Sequence, residues 1–267
     1  MINIFWQTVK DRKISLAVYS LAGLLFLWTF VAIFPSMHEY SETYEKVMES
    51  VPEAFFKILG IKTAGIATFE QFLAMEHFSL VWPLMAIFML LAIAGSGLAG
   101  EIEKGTAELV LAQPVSRLKM FWGKYAAGLF ALAVFTVFSV FTVSPLAAIH
   151  GVSYNMAYFG LAAAISILFG WAIFSMGMLF SAVFSETGKV YMICGGILFV
   201  MYVLHVISLM NENLEWLKYA SFFHYYDYDA ALSDGTLGIF NVLLFGGVIV
   251  ICTALAAWWF NRRDIAV

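Results

Sequence analysis

The sequence predicts an all-α integral membrane protein with six transmembrane helices, an N-terminal in-plane amphipathic helix and short extracellular re-entrant helices before the last span. Three observations carry the core of that reading. The chain is 63% hydrophobic and 12% charged over 267 residues, against about 45–50% and about 25% in a soluble domain. The apolar residues fall into six long blocks, and about 20 helical residues cross a hydrocarbon core of about 30 Å. The alternating segments that a membrane barrel needs are absent, which leaves helices to pair the backbone polar groups inside lipid.

The elements follow in order. Ile2, Phe5, Trp6 and Val9 recur at helical spacing, with Asn3, Gln7, Lys10 and Asp11 opposite them. That pattern suits a helix lying in the membrane surface. The alternative is an overlong first span, against which Lys10-Asp11-Arg12-Lys13 would be costly in hydrocarbon. The spans are read at 14–34, 78–99, 125–149, 157–184, 190–210 and 237–260, within a single transmembrane domain over 1–267. The first block follows basic residues, as a signal peptide would. It is longer than a secretory apolar region of about 7–15 residues and lacks a small-residue cleavage site after it, so a retained span is expected.

Three connections carry order signals. In 35–77, Pro52 suits a first helical position, Glu53 a first turn and Gly60 the residue after a helix end. Ala54, Phe55, Ile58 and Leu59 form a stripe between them, so a short helix resting on the outer surface is expected, with a mobile acidic loop as the alternative. In 101–124, Thr106 can cap a helix, Glu108 sits in its first turn and Pro114 stops it. Two turns are too short to stand alone in water. Leu109, Val110 and Leu111 therefore point to a docking surface, either a partner's or the bundle's own face. In 211–236, Trp216, Tyr219, Phe222, Phe223, Tyr225, Tyr226 and Tyr228 crowd together before Asp227 and Asp229 have finished the stretch. The reading is short helices that dip into the outer leaflet and return, buried against protein. An ordinary interfacial aromatic belt stays open.

Six spans bring both termini to one side. That side would hold Lys10, Arg12, Lys13, Lys104, Arg117, Lys119, Lys124, Lys189, Arg262 and Arg263. The other would hold Lys46, Lys57, Lys62 and Lys218. The positive-inside rule makes the first side cytoplasmic and the protein multi-pass in the cell membrane.

Several chemistries are unsupported. Cys194 and Cys252 sit in apolar blocks without metal-ligand spacing. The serine-hydrolase elbow and the zinc-protease helix motif do not occur. Gly100 and Gly105 have P-loop spacing, but Thr106-Ala107 follow, so no nucleotide hydrolysis is expected on this chain. A net charge of −4 gives no basis for nucleic-acid binding. Within the spans as read, His205 stands out as ionisable. It is either a functional intramembrane contact or a neutral imidazole bonded to a neighbouring helix. Ala92, Ser96 and Gly100, with Gly95 and Gly97, would admit a close helix, and Gly195-Gly196 and Gly246-Gly247 would act alike. Pro83 and Pro145 are expected to kink their helices.

The stretch Glu101-Ile-Glu-Lys-Gly-Thr-Ala-Glu-Leu-Val-Leu-Ala-Gln-Pro-Val-Ser-Arg117, followed by Gly123-Lys124, resembles the loop after the second span of ABC-2 type transporter permeases. Ser221-Phe-Phe-His-Tyr-Tyr-Asp with Gly235 is similar to the stretch before that family's last span, and Phe260-Asn-Arg-Arg-Asp264 to its C-terminus. The resemblance implies a permease paired with a second permease copy, alike or different, and with separate P-loop ATPase subunits that hold ATP and Mg. It implies no cofactor and no catalysis on this chain. It also implies an ATPase-coupling loop at Glu101, Glu103, Lys104, Gly105, Thr106, Glu108, Pro114 and Arg117, whose charges would set docking register. Trp216, Tyr219, Phe222, Phe223, Tyr225 and Tyr226 would form an outer aromatic cap. The reading from another class is a membrane anchor or sensor subunit that assembles without transporting. The apolar spans lean weakly toward a lipid-like cargo.

Overall fold

The computed structural model describes residues 1–40, 51–52, 68–106 and 116–263. Among these, six helices are long and apolar enough to cross a membrane: α1 Ile2–Glu39, α2 Phe69–Gly97, α3 Arg117–His150, α4 Met156–Val183, α5 Thr187–Met210 and α6 Ile239–Arg262. The described residues contain no strand. An even number of crossings puts both termini at one end of the bundle, the terminal end; the opposite end is the far end. The surface helix expected at 52–60 lies outside the described residues, apart from Pro52.

The helices begin where side chains satisfy their first amides. Thr68 accepts from Gln71 N–H at 3.2 Å to start α2. Ser116 accepts from Lys119 N–H at 3.3 Å to start α3, and Asn155 accepts from Ala157 N–H at 3.0 Å to start α4. α2 therefore starts nine residues earlier than its apolar block, because Glu70, Gln71, Glu76 and His77 interrupt the hydropathy without interrupting the helix. Glu76 and His77 thus belong to a spanning helix, which corrects the expectation that His205 alone stands out within the spans.

At the N-terminus α1 is one unbroken helix of 38 residues, so the amphipathic stretch and the first span form a single element. At about 1.5 Å per residue it far exceeds a core of about 30 Å, and its charged turns can clear the hydrocarbon without a bend. Its first turns pack on α3, with Phe5 and Trp6 at 5.7 and 6.5 Å from Phe130 between ring centroids. The two helices run the same way. A Cβ on Gly123 would come 2.9 Å from Ile4, one on Gly23 would come 2.8 Å from Ser139, and the Trp28 indole N–H donates to His150 at 3.3 Å.

α4 occupies the centre, packing most extensively on α6 and α2. Close approach explains several of its neighbours' glycines. The Phe174 ring of α4 lies over Gly128, where a Cβ would fall 2.0 Å from Cζ. The small-residue patch on α2 has a definite partner, since Tyr191 of α5 covers Gly95 and a Cβ there would fall 2.4 Å from its ring. Gly195, Gly196, Gly246 and Gly247 meet nothing within 4 Å among the described residues.

Pro83 and Pro145 are each preceded by a π-helical turn. Ala74–Val81 runs up to Trp82-Pro83, and Val137–Phe141 stands just before Pro145. Proline lacks an N–H and clashes with the carbonyl four residues back, and the wider turn accommodates that defect within a continuing helix. Between α5 and α6 the chain forms a 3₁₀ helix Glu212–Ala220, a four-residue helix Phe222–Tyr225 and a π turn Ala230–Asp234.

Candidate functional site

The two ends of the bundle carry most of its clustered charged and polar side chains. At the terminal end, α2 stops at Gly97 and a short helix, Ala99–Glu103, leads the chain away. Ser181 of α4 accepts both amides at the break, from Leu98 at 3.1 Å and Ala99 at 3.0 Å. Gly105 ends the short helix at φ +68°, its N–H donating to the Ile102 carbonyl at 3.0 Å. A left-handed residue just past a helix end is where glycine is favoured.

The segment's charged residues are held by the rest of the bundle. Glu101 pairs with the buried Lys124 of α3, and its second oxygen is buried without a hydrogen-bond partner among the described residues. Glu103 accepts the N–H of Thr187 at 2.9 Å, one of the orphan donors that open α5. The Thr187 hydroxyl, and then that N–H, hold the Glu103 carboxyl below the usual carboxylate range. Arg117 donates to the Arg263 carbonyl just past α6. Arg263 in turn donates to the carbonyls of Ala182 and Phe184 at 2.9 Å each, and to the Ser185 hydroxyl, closing the end of α4. Lys104 and Thr106 are exposed, and the Thr106 hydroxyl donates to the Glu101 carbonyl at 3.3 Å. Glu108 and Pro114 lie outside the described residues, as does the expected two-turn helix between Thr106 and Pro114.

One interior cluster escaped the sequence reading. The Tyr125 hydroxyl bonds Ser175 Oγ at 2.6 Å and Thr253 Oγ1 at 2.7 Å, and accepts the Trp171 indole N–H at 2.7 Å. It ties α3, α4 and α6. A signal was present: counted from the terminal end, Tyr125, Ser175 and Thr253 lie at similar depths, about 12–14 Å at 1.5 Å per residue.

At the far end the aromatic segment divides. Trp216 and Tyr219 are exposed, Phe222 and Phe223 half-buried, and Tyr225, Tyr226 and Tyr228 buried. Tyr225 turns back to donate to the Tyr219 carbonyl at 3.1 Å. Tyr226 reaches furthest in. Its hydroxyl lies 3.0 Å from Ser166 Oγ, ten residues into α4, and its ring stacks on Phe169 at 4.6 Å and on Trp82 at 6.2 Å. Gly235, at φ +63°, ends the segment under the Tyr158 ring. His205 of α5 is buried, with its ring 6.3 Å from that of His224, so it meets the far-end segment itself. The sequence reading missed His77. It is fully buried, its Nε2 is 2.8 Å from the Ser139 carbonyl, and its Nδ1 has no partner among the described residues.

Between the ends, a groove of about 720 Å³ runs along α2 and α5, with Tyr19 of α1 at one side. Pro83, Phe88, Tyr191, Phe199 and Tyr202 are among its walls, and no charged side chain lines it. Its size falls in the range of small-molecule sites, about 300–1,000 Å³.

The model of the family described as ABC-2 family transporter protein matches residues 2–265. No curated protein matches the sequence.

Proposed function

The chain belongs to the ABC-2 family of transporter proteins, and from that membership we propose that it is the exporting permease of an ABC transporter, driven at its terminal end by a separate P-loop ATPase. As a family member it is a multi-pass membrane permease subunit. The observation supporting the coupling is the set of joints around residues 101–117. Glu101–Lys124 and Glu103–Thr187 tie the described start of that stretch to α3 and α5, and Arg117–Arg263 ties the start of α3 to the end of α6, from which Arg263 passes the tie on to α4. A push on the segment then moves most of the bundle together. In this reading the terminal end faces the cytoplasm, a second permease copy completes the path, and ATP with Mg acts on the partner. Exposed Lys104 is left to meet the ATPase, while Glu101, Glu103 and Arg117 transmit. The uncharged groove along α2 and α5 suits an amphipathic cargo entering from the membrane.

The test is ATP hydrolysis by the co-purified ATPase, with and without this permease, together with export from cells. Glu101→Lys and Lys124→Glu are each expected to cut stimulation by at least fivefold, and the double exchange to restore part of it. Glu103→Lys and Arg117→Glu should uncouple without loss of the complex. Unchanged stimulation and unchanged export across all of them would remove this segment from the coupling path.

A further inference from the structure

Tyr226 touches the bundle where two helices are already irregular. Its ring stacks on Trp82, the residue that follows the π turn of α2. The Trp82 indole N–H donates to Ser139 Oγ at 2.9 Å. Ser139 lies inside the π turn of α3, and its carbonyl is the partner of His77, which lies inside the π turn of α2. Ser139 also packs on Gly23 of α1. One connected chain of contacts therefore runs from Ser166 on α4 through Tyr226, Trp82 and Ser139 to His77.

We propose that Tyr226 is the latch of the far end. Seated, it holds the segment between α5 and α6 in the bundle; withdrawn, it frees Trp82 and lets the two facing π turns rearrange, which opens the far end. The proposal takes the permease assignment as its premise and adds the moving part. Three features support it. The far-end segment consists of a 3₁₀ helix, a four-residue helix and a π turn, so it carries few of the regular backbone bonds that resist local opening. π turns inside α-helices are frequent at functional sites, and two of them meet here through His77 and Ser139. The fully buried His77 imidazole bonds the Ser139 carbonyl at 2.8 Å, so the two π turns are joined directly and a change in one is passed to the other.

The test uses the full chain in membranes with Cys194→Ala and Cys252→Ala, and with Ala163→Cys as reporter. Ala163 is 2% exposed, three residues from Ser166 toward the far end. The measured quantity is the rate of labelling by a membrane-impermeant maleimide added at the far face. Tyr226→Phe is expected to raise that rate about fivefold, the equivalent of one buried neutral hydrogen bond, and Tyr226→Ala more than tenfold. Ser139→Ala, a helix away from Tyr226, is expected to raise it as well, and Ile251→Ala on the outer face of α6 to leave it unchanged. Rates within twofold of the parent for both Tyr226→Phe and Ser139→Ala, which are mild enough to fold, would overturn the latch. With the ATPase present, ATP and vanadate should raise the rate further. If the substitutions act and the nucleotide does not, the latch stands and the coupling reading falls.

Discussion

The two ends of this bundle are held by different forces. At the terminal end the joints are charge-assisted: a lysine–glutamate pair, a carboxylate on a helix-opening amide, and an arginine on helix-ending carbonyls. Such bonds are directional, and a rigid set of them passes displacement along. At the far end one charge-assisted bond, the Asn155 N–H on Glu70 at 2.7 Å, joins the starts of α2 and α4, and the joints around Tyr226 are ring stacks and neutral hydroxyls. Stacking is weakly directional and each contact is small, so that end can separate and close again at modest cost. The contrast suits a device pushed at one end and opened at the other.

The largest expected effect tests the far end. Tyr226→Ala removes a fully buried aromatic and should lower stability by about 4 kcal/mol, read as thermal unfolding in detergent. That loss should not change with salt. Next comes Lys124→Met, which strands Glu101 and should cost about 3 kcal/mol, with most of it recovered by adding Glu101→Gln. Its cost should shrink only modestly as salt rises, because the pair is largely buried; no salt dependence at either end would erase the contrast. Gly105→Ala comes third, at about 1 kcal/mol, because its left-handed backbone disfavours a Cβ. The smallest effect is one of pH. The Glu103 carboxyl is held low in the folded chain, so its contribution is present above the ordinary carboxylate pKa and is lost as pH falls through the folded value. The difference in melting temperature between the parent and Glu103→Ala should therefore narrow on acidification from about pH 5 to about pH 3.

Much of this was legible in the residues. Long apolar runs are sufficient to predict six spans, because lipid leaves the backbone no alternative to helical pairing. Where the reading fell short, it did so through local chemistry that hydropathy averages away. Thr68 caps a helix that the acidic residues after it had hidden, and α1 continues unbroken through the charged turns that separated the amphipathic stretch from the first apolar block.

By itself the sequence determined the number of spans, the concentration of polar chemistry at the two ends and the residues that compose it, since each follows from composition and local spacing. Tertiary structure alone decided which charges are already occupied, that Ser139 stands beneath both His77 and Trp82, and that Tyr226, among seven crowded aromatics, is wedged against Trp82 of α2 and Phe169 of α4. Tyr226 owes its place there to stacking on both Trp82 and Phe169, beside Phe223, Tyr225 and Tyr228, which also pack inward. Those facts depend on residues some 60 to 150 positions apart reaching the same depth in neighbouring helices, and no local pattern encodes which helices are neighbours.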